Sequence, residues 1–129
     1  MGNDISFDAT LVCALECKDL DAAIAWYKEK LGCELIYRVD HMGWCEMTSP
    51  IKDVAIGLSA VEQPTTRGGA TLTFGVRDLD SARSFLEGGG VKFDGDTIEI
   101  PELVRLAGFF DPDGNKFMLS QGLGAHAPA

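Results

Sequence analysis

The chain predicts an α+β fold of two tandem βαβββ modules, and three observations carry that reading. Lys18-Asp19-Leu20-Asp21 returns as Arg77-Asp78-Leu79-Asp80, an offset of 59 residues (78 − 19) at which Leu20 also matches Leu79, Ala23 matches Ala82 and Trp26 matches Phe85. Agreement along an apolar helical face, in only two copies, marks a duplicated half-domain rather than a solenoid array. Strand-like runs precede and follow each copy. Between the copies, Glu62-Gln63-Pro64-Thr65-Thr66-Arg67-Gly68-Gly69 has the Pro, Gly and polar composition of a linker. The expected layout is one domain over residues 1–129, with modules at 9–61 and 70–121, a linker at 62–69 and a frayed tail at 122–129.

Residues 10–17, Thr-Leu-Val-Cys-Ala-Leu-Glu-Cys, suit a largely buried strand. Asp19 offers an N-cap to a helix of about three turns. Leu20, Ile24, Tyr27 and Leu31 share one face, Asp21, Lys28, Glu29 and Lys30 the other, and Gly32 provides the stop. Strands follow at 34–39, 44–48 and 54–61, separated by the Asp40-His41-Met42-Gly43 turn and the Ser49-Pro50 break. In the second module 71–76 alternates cleanly, Asp78 caps a helix that ends in Gly88-Gly89-Gly90, and strands are expected at 91–93, 97–100, 104–110 and 116–121. Asp111-Pro112-Asp113-Gly114-Asn115 is a strong turn before the last of these.

Eleven basic against 20 acidic side chains leave a formal charge of −9, which opposes binding to nucleic acid phosphates and anionic membranes and favours cationic ligands. No apolar run approaches the roughly 20 residues needed to span a bilayer. Met1 to Ala9 lacks the basic and apolar regions of a signal peptide, so a cytoplasmic protein with no membrane or nucleic acid partner is expected. Cys13, Cys17, Cys33 and Cys45 contain no CxxC pair and read as small apolar core fillers.

Taken together, Asp19-Leu20-Asp21 through Trp26-Tyr27 to Leu31-Gly32, the repeated Asp78-Leu79-Asp80, and Phe110-Asp111-Pro112-Asp113-Gly114-Asn115 resemble the vicinal oxygen chelate superfamily of glyoxalases, bleomycin resistance proteins and extradiol dioxygenases. The resemblance covers roughly residues 9–121. It implies strands that curl into a mixed sheet partly enclosing a cavity, with the helices outside. Strand alternation then places Cys13, Leu15 and Cys17 toward the helix and Val12, Ala14 and Glu16 toward the cavity. Leu72, Phe74 and Val76 likewise face the helix, leaving Thr71, Thr73, Gly75 and Arg77 on the other side. For the strands at 44–48 and 104–110 the inward face is left open, because Trp44, Cys45, Glu46 and Met47 put apolar groups on both.

Metal-dependent members of that superfamily carry His or Gln on the first strand of each module and Glu on the last. Carried over by position, these sites fall at Val12, Thr71, Gly57 and Met118, none a useful ligand for a hard metal. His41 lies in a turn and His126 in the tail. No metal and no cofactor is therefore expected, and no catalytic residue is identified. At the repeat offset Glu46 corresponds to Arg105, an opposed pair suited to binding each other or a polar ligand. The candidate ligand-binding residues are Glu16, Trp44, Thr71, Thr73 and Met118, which offer a carboxylate, hydroxyls and soft apolar surface. The resemblance implies a homodimer. The leading reading is metal-independent binding or sequestration of a small organic molecule, cationic ones included. The alternatives are a metal-dependent lyase, isomerase or dioxygenase of glyoxalase type with displaced ligands drawn from Glu16, Glu46, His41 or Cys45, and a protein-interaction module.

Overall fold

Capping and apolar spacing place the elements of this fold much as the sequence predicts. The computed structural model describes residues 11–66, 68 and 70–128, so Thr10, the expected first residue of the opening strand, Arg67 and Gly69 of the linker, and Ala129 lie outside it. Two compact units divide within the linker, Met1–Pro64 and Thr65–Ala129. The first contains β1 (Leu11–Cys17), α1 (Leu20–Leu31), β2 (Leu35–Val39), a 3-10 turn (Asp40–Met42), β3 (Trp44–Thr48) and β4 (Val54–Ala60). The second contains β5 (Leu72–Gly75), α2 (Leu79–Gly88), β6 (Ile98–Ile100), β7 (Val104–Phe110), β8 (Lys116–Gly122) and a closing 3-10 turn (Gly124–His126). Strand order is β1-β4-β3-β2 in one sheet and β5-β8-β7-β6 in the other. In each the first strand pairs in parallel with the last, and the remaining pairs are antiparallel.

Both helices begin at aspartates that satisfy an otherwise unpaired amide: Asp19 Oδ1 accepts from Ala22 N at 3.0 Å and Asp78 Oδ1 from Ser81 N at 3.1 Å. Gly32 closes α1 at φ 72°, where its N–H bonds the Tyr27 carbonyl. Leu20, Ala23 and Tyr27 of α1 are buried with Cys17, Cys33, Cys45, Met47, Ile56 and Leu58. Tyr27 and its repeat counterpart Leu86 (86 − 27 = 59) are both core residues. Stacked Phe109 and Phe117, with ring centroids 5.5 Å apart, anchor the second core together with Leu79, Ala107 and Leu119. Among the described residues no helix is long and apolar enough to cross a membrane.

Several expectations are corrected. Residues 91–93 form no strand; only an isolated bridge joins Phe93 to Phe109, because Arg83 draws this loop to α2, its guanidinium 4.6 Å from the Phe93 ring centroid and bonded to Thr97 and Gly95. Phe85 is 72% exposed, so the match of Trp26 to Phe85 does not mark a core position. The tail is not frayed through 128: β8 continues to Gly122, and the closing turn is held by bonds from His126 N to Leu123 O and from Leu123 N to Leu103 O. The repeat offset drifts as well. It is 59 between β1 and β5 (75 − 16), but β3 and β7 differ by 62 (106 − 44) and β4 and β8 by 61 (120 − 59) when strands are matched by pairing register. Glu46 therefore corresponds to Gly108, not Arg105.

The Asp78 carboxylate is held below the usual aspartate range, first by the Ser81 amide and then by the Ser81 hydroxyl. A carboxylate depressed in the folded state stabilises fully above its unfolded value near 3.9, and that contribution is lost as pH falls through the lower folded value. Asp78→Asn keeps an N-cap acceptor but no titrating charge. Its urea midpoint is expected to fall less than that of the parent chain between pH 5 and pH 2.5, as followed by circular dichroism.

Candidate functional site

Within each unit one face of the sheet is buried beneath the unit's helix, and no described helix of that unit packs on the other. In the first unit Cys45 and Met47 of β3 and Ile56 and Leu58 of β4 are buried on the helix side. Alternation therefore puts Trp44, Glu46 and Thr48 on the helix-free face and resolves the parity the sequence left open. Register lays out three rows across that face: Trp44–Ser59–Glu16, Glu46–Gly57–Ala14 and Thr48–Ala55–Val12. Glu16 and Trp44 thus share a row, with Ser59 between them.

The benzo edge of the Trp44 indole lies against Gly57. A Cβ built at position 57 overlaps indole Cη2 and comes within 2.7 Å of Cζ2, so only glycine admits this packing. The indole is oriented by a hydrogen-bonded chain in which Trp44 Nε1 donates to Tyr37 Oη at 3.0 Å and Tyr37 Oη donates to Glu46 Oε1 at 3.3 Å. Glu46 is half-buried and also lines a pocket of about 450 Å³ with Leu11, Val12, Ile36, Thr48 and Ile51. Lys52 and Asp53 complete its polar rim. Leu11, Val12, Ile36 and Ile51 are all exposed apolar side chains, so this pocket presents an apolar wall beside a carboxylate. Sequence reading missed Tyr37. The available signal was its cross-strand position opposite Glu46, which becomes visible once the β2–β3 hairpin register is known.

The second unit builds its helix-free face from Gly108–Met118–Thr73 and Leu106–Ser120–Gly75. Thr73 and Met118 are direct register partners, and Thr73 Oγ1 donates to the Thr71 carbonyl at 3.3 Å. Thr71 precedes β5 and lines a second pocket, of about 340 Å³, with Thr66, Phe110, Asp94 and Lys116. Here Lys116 crosses Gly108 to reach Asp94 Oδ2 at 2.8 Å; a Cβ at 108 would lie 2.7 Å from Lys116 Cε. Gly108 thus admits a lysine chain much as Gly57 admits an indole.

The expected opposition of Glu46 and Arg105 is replaced by other partners. Arg105 lies on the helix side of β7 and reaches Asp80 at 2.9 Å, with its Nε 3.4 Å from Glu99 outside hydrogen-bond geometry. Arg38 of β2 makes the corresponding contact in the first unit, to Asp21 at 2.9 Å. Asp21 and Asp80 are repeat counterparts (80 − 21 = 59), so two arginines from different strands serve one conserved feature of the duplicated helix. These exposed pairs are weak as stabilising contacts. Burial pushes the Cys33 thiol up to about 11 and raises Cys45 as well, so neither supplies thiolate at neutral pH.

The positions at which the resemblance would place a superfamily metal, Val12, Gly57, Thr71 and Met118, lack a carboxylate, imidazole or amide. At Gly57 the Trp44 indole also takes up the space a longer side chain would need. Among the described residues no three His, Cys, Asp or Glu side chains group as a metal site. The residues present therefore do not fit that metal.

A model of the Glyoxalase/Bleomycin resistance protein/Dioxygenase superfamily matches residues 11–119. The chain belongs to that superfamily. No curated protein matches it in sequence. Among solved structures it is similar to a superfamily member from Sphaerobacter thermophilus DSM 20745, at 25% identity and a TM-score of 0.74, covering 90% of this chain and 97% of the other. It is similar also to TnmS3, an antibiotic binding protein from Streptomyces sp. CB03234, at 26% identity and a TM-score of 0.72, covering 94% and 99%. A putative glyoxalase family protein from Bacillus anthracis shares the fold at 21% identity and a TM-score of 0.72, covering 95% and 99%.

Gly57→Ala is expected to lift the indole from the sheet and break its bond to Tyr37. Overpacking of this kind costs about 1–3 kcal/mol. A urea titration followed by tryptophan emission checks both parts: the midpoint should fall and the native spectrum should shift to the red.

Proposed function

We propose that this superfamily member binds and sequesters a small organic molecule, cationic ones included, without a metal. The observation that carries the proposal is the Trp44 indole packed against Gly57 and hydrogen-bonded through Tyr37 to the half-buried Glu46 carboxylate, which lines an apolar pocket. At a position where metal-using relatives are expected to place a ligand, this chain has an aromatic surface instead. An indole face with a nearby carboxylate suits an ammonium group on an apolar body. Its similarity to the antibiotic binding protein TnmS3 supports a binding role.

The reading assigns Glu16 and Trp44 of the first unit, and Thr71, Thr73 and Met118 of the second, as ligand-facing residues. Tyr37 and Glu46 join them. A cytoplasmic homodimer is part of the same proposal, with light scattering expected to return twice the 13.9 kDa chain mass.

The test compares 2-phenylethylammonium with the neutral 2-phenylethanol, using quenching of Trp44 emission in a Trp26→Phe background. The cation should bind more tightly. Glu46→Gln and Glu16→Gln should each weaken it roughly fivefold, equivalent to about 1 kcal/mol, while leaving the alcohol unchanged. Equal losses for both probes would remove the electrostatic role. Elemental analysis of protein purified without chelator, with Mn, Fe, Co, Ni and Zn added back, tests the metal-free part. About one bound ion per chain, lost in Glu46→Ala or His41→Ala, would favour the enzyme reading.

A further inference from the structure

The closing turn of the second unit builds a pocket of different chemistry. Gly75, Val76 and Arg77 at the end of β5, Leu103 and Val104 at the start of β7, and Ser120 and Gly122 at the end of β8 line a space of about 590 Å³. His126 and Pro128 supply its outer wall. Position 122 decides whether that wall exists: a Cβ there would overlap the His126 carbonyl oxygen and lie 2.6 Å from its carbon, so the turn packs directly on glycine backbone. Bonds from His126 N to Leu123 O at 2.9 Å and from Ala127 N to Gly124 O at 3.2 Å hold the turn in shape.

None of the described lining residues is acidic, in a chain with a formal charge of −9. The polar side chains are a guanidinium, an imidazole and the Ser120 hydroxyl, all of them hydrogen-bond donors. A guanidinium has five donors in a fork that matches a carboxylate in two places, so it can serve a ligand in addition to a protein partner. Val76, Leu103, Val104 and Pro128 add apolar surface around these donors.

We infer that this pocket is a binding site for a small carboxylate on an apolar body, with Arg77 as the principal anchor and Ser120 and His126 as supporting donors. It lies in the second unit and goes beyond the ammonium-binding role proposed for Glu46, which belongs to the first. The corresponding place in the first unit has diverged. Lys18 is the repeat counterpart of Arg77, but the pocket it lines contains Glu62.

The experiment is an NMR titration of the full chain with benzoate, with neutral benzamide as the matched control. Benzoate should shift the amides of Gly75, Ser120 and Gly122 and the His126 imidazole saturably, and benzamide should bind at least fivefold more weakly. Arg77→Gln should abolish the preference and His126→Gln should reduce it. Gly122→Ala should weaken benzoate by displacing the wall while the amide spectrum stays dispersed. Glu46→Gln should leave benzoate binding unchanged, so this site and the ammonium site can fail separately. Equal affinity for benzoate and benzamide, a preference that survives Arg77→Gln, or shifts that map away from these residues would overturn the inference. Unchanged benzoate affinity in Gly122→Ala would overturn the part assigned to the tail.

Discussion

In both units the first strand runs parallel to the last, and this pairing governs what the rest of the chain can do. Parallel neighbours cannot be joined by a tight turn, so the chain must cross over, and α1 and α2 begin that crossover on one face of each sheet. The apolar sides of the central strands are buried there. The opposite faces carry no helix, and alternation delivers to them the polar, aromatic and small side chains left over. Glu16, Trp44, Glu46, Thr73 and Met118 are all on such faces.

Both helix-free faces use a central glycine to let a large side chain pack closely on the sheet, and the two differ in what they admit. Gly57 accepts an indole tied through Tyr37 to a carboxylate; Gly108 accepts a lysine that ends on Asp94. These glycines are not repeat counterparts, since Gly57 matches Met118 and Gly108 matches Glu46 by register. Duplication therefore preserved the scaffold while the faces diverged. The first unit presents a carboxylate beside apolar surface, and the second presents donors around Arg77. Superfamily membership leaves room for this, because function resides in sites carried by a fold rather than in the fold.

The candidate site was only partly legible in sequence. Glu16, Thr71 and Thr73 follow from strand alternation counted back from the helix caps, Met118 follows from its position carried over from the superfamily pattern, and β1, β4, β5 and β8 have the expected parity; the face of Trp44 did not follow. Tyr37 did not follow, because its value lies in a cross-strand partnership with Glu46 that depends on the irregular register of β2 with β3. Matching Glu46 to Arg105 failed for a related reason. A constant offset ignores the residues gained in the connections between strands, and hydrogen-bond register is the measure that corrects it. The tail's packing was equally hidden, since Gly122 reads as the start of a frayed tail until the backbone of His126 is seen against it.

The sequence by itself determined the duplicated βαβββ plan, the aspartate caps, the glycine stop of α1 and the strand faces nearest those caps. These rest on local rules: an N-cap acceptor three residues from its amide, a left-handed glycine, and a side-chain period of two. Only the tertiary structure decided which face Trp44 and Glu46 take, that Gly57 lies beneath an indole, that Arg105 belongs to Asp80, and that the tail closes a pocket beside Arg77. Each of these depends on residues distant in sequence approaching within a few ångströms. Strand register and backbone clearance set that approach, and neither is written in any one segment.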